Sequence, residues 1–125
     1  MIFSLDGVEF NVDVIKLDRS FAVTDTDNSG RTLDGGMHRD IIGTYYNYSM
    51  ALETKSLDLA SYDQLYEMLS APITSHTLIV PYGQENLEFQ AYVTSGADGL
   101  KKRGVKNLWS GLTVSFIAMV PQRRP

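Results

Sequence analysis

The sequence predicts a mainly β (α+β) fold: an antiparallel β-sandwich or barrel-like sheet with one packed α-helix over about residues 59–71. Three observations carry that expectation. Apolar residues recur at every second position in five separate segments, the spacing of half-buried strands. One segment has helical spacing instead. No alternation of strand and helix marks parallel β-α-β units, and no internal repeat is present. At 125 residues the chain is expected to form a single domain, 1–125, with enough length to bury one core.

The elements follow in order. Ile2 to Leu5, the turn pair Asp6-Gly7, and the alternating Val8, Phe10, Val12 and Val14 predict a tight hairpin. The phase then flips to Ile15 and Leu17, which a β-bulge near Val14-Ile15 would explain. Residues 24–37 hold three glycines and four Asp or Asn residues, a turn-forming composition, so a long loop or arm is expected over about 24–40. Alternation resumes with Ile42, Tyr46, Tyr48, Met50 and Leu52.

Tyr62, Leu65, Tyr66 and Leu69 lie at i, i+3, i+4 and i+7, one apolar helical stripe. Ser61 and Gln64 have capping-box spacing, with Asp58 as the rival N-cap, and Pro72 stops the helix. Three further strands are marked by Leu78/Val80/Tyr82, by Leu87/Phe89/Ala91/Val93 and by Leu112/Val114/Phe116/Ala118/Val120. A four-residue turn, Gly83-Gln84-Glu85-Asn86, is expected between the first two. A basic loop over 96–107 is expected before the last.

Composition narrows the chemistry. The chain has no Cys, which removes disulfides, thiolate nucleophiles and Cys-ligated zinc. Its longest apolar runs, 78–81 and 116–120, fall far short of the ~20 residues of a membrane helix, so no membrane partner is expected. The opening Met1-Ile2-Phe3-Ser4-Leu5-Asp6 lacks a leader pattern, which points to a soluble protein made in the cytosol.

Charge is unevenly spread. Residues 99–125 hold six basic groups and no acid, while the first 98 carry −10, leaving −4 in all. Such a split fits a nucleic-acid tail, a subunit whose positive end meets the negative face of another copy, or simply solvated basic segments. The overall acidity, with a sequence pI near 5.0, argues against sequence-specific nucleic-acid binding. The tyrosines fall on strand or helix stripes, where packing is their commoner use.

Motifs for catalysis are lacking. His38-Arg39-Asp40 is the triplet of a kinase catalytic loop without the phosphate loop or Asp-Phe-Gly that must accompany it. His38 and His76 have no metal-ligand spacing, and no Gly-x-Ser-x-Gly elbow exists. Many carboxylate pairs are available and none is marked out. Not an enzyme, and no cofactor, is the expectation. Asp25, Asp27, Ser29 and Gly30 match the first places of a calcium loop, but the twelfth place is Gly36 where a bidentate Glu is required. Those three oxygen-bearing residues are candidate metal ligands only, and no tight site is expected. The alternative function they support is a small β-domain binding a cation or small ligand through loop 25–34.

The order of elements, a bent first strand, a long-looped hairpin, a short amphipathic helix and closing antiparallel strands, resembles the tail-tube module of phages and related contractile systems. It also resembles the N-terminal domain of distal-tail (baseplate hub) proteins. The segment Asp34-Gly35-Gly36-Met37-His38-Arg39-Asp40-Ile41-Ile42-Gly43-Thr44-Tyr45-Tyr46-Asn47-Tyr48 and the closing Phe116-Ile117-Ala118-Met119-Val120-Pro121-Gln122-Arg123-Arg124 are similar to small prophage proteins of tail and virion gene clusters. The resemblance implies a virion structural protein, a homo-oligomer of ring form, that also meets other virion proteins. Its localisation would be the virion, after synthesis in the bacterial host cytoplasm. In that family neighbouring sheets join around a lumen and the hairpin loop reaches the next ring, so the arm here would be 25–38. Arg31, Met37, His38, Lys101, Lys102 and Arg103 are the expected oligomer contacts. The chain is shorter than most tube proteins, and a tail-completion or head–tail joining role fits its length equally.

Overall fold

The computed structural model describes residues 3–26, 29–31, 35–55, 58–104 and 106–125. The elements are β1 (Ser4–Leu5), β2 (Val12–Asp25), β3 (Gly30–Arg31), β4 (Met37–His38), β5 (Ile41–Thr54), α1 (Leu59–Leu69), β6 (His76–Tyr82), β7 (Glu85–Tyr92), β8 (Gly96–Arg103) and β9 (Asn107–Ala118). All pairings are antiparallel, in the order β1-β6-β7-β9-β5-β2 with β8 also on β9. The mainly β fold with one helix is as the alternation predicts.

Strand β9 is the seam. Along one edge it pairs with β5 from Tyr48↔Phe116 to Glu53↔Ser110. Its other edge is divided, with Ala118 and Ile117 on β7 and the stretch from Val114 to Asn107 on β8. The sheet rolls about this strand. Although β5 and β6 are three steps apart in the order, the Tyr48 hydroxyl donates to the Pro81 carbonyl at 2.9 Å, and the Tyr48 ring lies 5.9 Å from Phe89. Inside the roll sit the period-two residues Leu78, Val80, Phe89, Ala91, Met50, Leu52, Leu112, Val114 and Phe116. Helix α1 closes the core with Tyr62, Leu65 and Leu69. Burial of this apolar surface is the main favourable term.

Several elements differ from expectation. The first turn forms, with Asp6 and Gly7 at φ of 52° and 80°, but its hairpin stops at one bridge, Leu5↔Val8. Ser4 and Leu5 pair with β6 instead, because Phe3 and Leu5 are buried in the core only if the chain crosses over. The bulge is present: register shifts between Val14 and Lys16, and Ile15 is 60% exposed. The β6–β7 turn has two residues, not four, since Tyr82 pairs with Glu85 and Gly83, at φ 58°, takes the first position of a type II′ turn.

Helix α1 ends at Leu69, two residues early, where the Ser70 N–H and hydroxyl both donate to the Tyr66 carbonyl. Its N-cap is Asp58, whose carboxylate accepts from the Ser61 N–H at 3.1 Å, so Ser61 is not the cap. Tyr66 is exposed, leaving the stripe with three buried members. The basic loop expected over 96–107 is mostly strand: β8 occupies Gly96–Arg103 and pairs with β9. The arm is shorter as a loop than expected, because β2 runs to Asp25, β5 starts at Ile41, and β3 and β4 form their own two-stranded ladder between them.

Candidate functional site

Beyond Tyr48 toward the arm, β5 loses β9 as a partner, and the β2–β5 hairpin projects. The chain after β9 turns back onto it: the Thr44 N–H donates to the Arg123 carbonyl at 2.8 Å, and the Tyr46 N–H to the Gln122 side-chain oxygen at 2.6 Å. Gly43 permits this approach, since a side chain there would collide with the Arg123 carbonyl and with Pro121. The hairpin, the returning tail and the β6–β7 turn enclose an open groove of about 630 Å³.

Its floor is a tyrosine pair. The Tyr82 hydroxyl donates to the Tyr46 hydroxyl at 3.0 Å, with ring centroids 5.1 Å apart and nearly perpendicular. Arg19, opposite Tyr48 in the ladder, holds its guanidinium 5.6 Å from the centre of the Tyr82 ring, a cation–π contact. The hydrogen bond from Tyr82, and then one from Arg123, push the Tyr46 hydroxyl below its ordinary pKa. The same Tyr46 contact raises Tyr82, which must keep its proton to donate the bond, and raises Arg123. Tyr48 is shifted upward, chiefly by burial. The rim carries Val23 and Phe21, the latter 71% exposed. Among the described residues neither Arg19 nor Arg123 is ion-paired with a carboxylate. The groove therefore offers two cations, hydroxyl donors and an apolar rim, a set suited to an anionic group beside an aromatic ring.

The residues expected from sequence are distributed differently. Asp25 is gripped by Arg39 at 2.9 Å, and the Ser29 hydroxyl accepts the Asp40 N–H at 2.7 Å, so both close the base of the arm. The Thr26 hydroxyl adds a bond to the Asp40 carboxylate at 2.8 Å. Asp27 lies outside the described residues, as does the Arg31 side chain. Among the described residues no three His, Asp or Glu side chains converge as metal ligands. Met37 and His38 are exposed on β4, and Lys101, Lys102 and Arg103 are exposed on β8. The arm and the basic strand are thus separate features.

At the far end of the same hairpin lies a second aromatic patch. The Tyr62 hydroxyl donates to Asp98 at 2.9 Å, and burial first, then this bond, raises its pKa. Around it are the exposed Asp63, Tyr66, Glu67 and Trp109. Sequence reading missed both patches because their members lie up to 104 positions apart, as Arg19 and Arg123 do. No protein-family model and no curated protein matches this chain. Among the described residues no helix is long and apolar enough to cross a membrane.

Proposed function

We propose that this chain is a phage or prophage virion structural subunit, of tail, baseplate or head–tail joining type, acting by self-assembly and not by catalysis. One observation carries the reading: the layer β8-β9-β5-β2 is open on both sides. Among the described residues β2 pairs only with β5, and β8 only with β9. A 14-residue strand with unpaired backbone groups is a template for another chain.

The two edges are unlike. Strand β8 carries Lys101, Lys102 and Arg103 against Asp98, whereas β2 carries Asp13, Asp18 and Asp25 against Lys16 and Arg19. Two β8 edges repel each other, and a β8 edge against a β2 edge does not. That contact is heterologous, and heterologous contacts close into rings when the rotation permits. The family resemblance, in which sheets of neighbouring subunits continue one another, supports the same arrangement. The partners are then further copies of the chain and other virion proteins, and the destination is the virion, after synthesis in the bacterial host cytoplasm. The cation reading has less support, because Asp25 and Ser29 are engaged within the arm.

Light scattering and negative-stain microscopy across a concentration series test the proposal. Discrete homo-oligomers, ring-shaped in the images, are expected. Single copies at every concentration would overturn it.

A further inference from the structure

Edge pairing uses the two sides of the layer and leaves its two ends unassigned. One end is the groove of Arg19, Arg123, Tyr46 and Tyr82, cationic and rimmed by Phe21. The other is the outer face of α1, where Asp63 and Glu67 flank the exposed Tyr66 beside Trp109. Thr44, at the groove, and Thr54, which donates to the Trp109 carbonyl at 3.2 Å, are ten residues apart on β5. That separation is roughly 30 Å at the rise of a strand. The two patches therefore cannot meet within one copy.

We propose that the groove is a docking site for the α1 face of a second copy, so that subunits also join end to end along the strand direction. The inference rests on the self-assembly reading and deepens it by naming a stacking contact distinct from the edge contact. Three features argue for this occupant. Among the described residues no acidic side chain lines the groove and no basic side chain lines the helix patch, so the charges are complementary. Asp63 and Glu67 stand one turn apart, about 6 Å along the axis, and present two carboxylates to two guanidiniums. Tyr66 and Trp109 match the groove's tyrosine pair and its Phe21 rim, and aromatic residues with Arg are the usual anchors of protein contacts.

The test uses two double variants of the whole chain, compared by sedimentation velocity. Arg19→Gln with Arg123→Gln keeps the hydrogen-bonding reach toward the tyrosines and removes the charge. Asp63→Lys with Glu67→Lys changes only exposed positions of α1, so it reports even if the first variant folds poorly. Each alone is expected to associate about tenfold more weakly than the parent chain, the scale of two interfacial charge pairs. A mixture of the two is expected to regain association, because one supplies an intact groove and the other an intact helix face. If the parent chain assembles and both variants assemble equally well, the docking proposal falls and the self-assembly reading stands. A parent chain that stays single at every concentration removes both.

Discussion

The Asp6 carboxylate receives the buried His76 ring at 2.7 Å and the Thr77 N–H at 2.8 Å, from a residue held at φ 52°. Burial alone would raise its pKa, but these two bonds together with the electrostatic attraction of His76 outweigh burial and hold it below the ordinary value. A carboxyl lowered in the folded state adds stability that is present above the unfolded pKa of about 3.9 and is lost as pH falls through the folded value. Asp6→Asn, which tolerates the left-handed backbone, is therefore expected to be less stable than the parent at pH 7. In urea melts the difference should shrink at pH 3 and below. The second residue-scale expectation concerns Leu65, fully buried under the sheet, where Leu65→Ala should cost about 2–5 kcal/mol in denaturant unfolding. A loss under about 0.5 kcal/mol would place the stripe outside the core. Leu65 was legible from its spacing alone. The Asp6–His76 pair was not, since 70 positions separate its members and nothing local marks either one.

At the scale of elements, the strands with period-two cores were legible because one face of each is buried and the other is wet, and alternation records that difference. The bulge at Ile15 was legible for the same reason, as a change of phase. Strand β8 was hidden because Gly96, Gly99 and its basic residues are what an edge strand carries when neither face enters the core, and this composition is also that of a loop. The arm's inner ladder was hidden by brevity, two residues on each side. The tail's return onto β5 depends on one position, Gly43. Gly43→Ala is expected to break the Thr44–Arg123 bridge and release Arg123 from Tyr46 while leaving the β5–β9 ladder intact. Amide exchange should then rise at Thr44 and Tyr46 and stay slow from Tyr48 to Leu52.

At the scale of the whole molecule, the fold class could be read from the sequence and the groove could not. Its Arg19, Tyr46, Tyr82 and Arg123 come from β2, β5, the end of β6 and the returning tail, which only the rolled sheet brings together. The uneven charge was visible at once, but its placement on an open strand was not. Association that draws on exposed β8 cations should weaken with salt, because screening shortens their reach to about 8 Å at physiological ionic strength. Replacing Lys101, Lys102 and Arg103 by Gln together is expected to lower the oligomer fraction at low salt and to flatten its salt dependence. Light scattering between low and high salt checks both. Unchanged assembly would assign the edge contact to backbone pairing alone.

Strand β9 has a consequence for the order of synthesis. Every strand it pairs with, β5, β7 and β8, leaves the ribosome before it does. Until residues 107–118 emerge, the sheet exists only as the two-stranded β2–β5 ribbon, which is marginal in water, and a separate β1-β6-β7 piece in which β1 adds just two residues. The inner edge of β5 and the cationic edge of β8 are formed together with the rolled core, in the last step. A nascent chain therefore lacks the finished β8-β9-β5-β2 layer, and under the proposed self-assembly the timing of translation would itself hold back premature polymerisation on the ribosome.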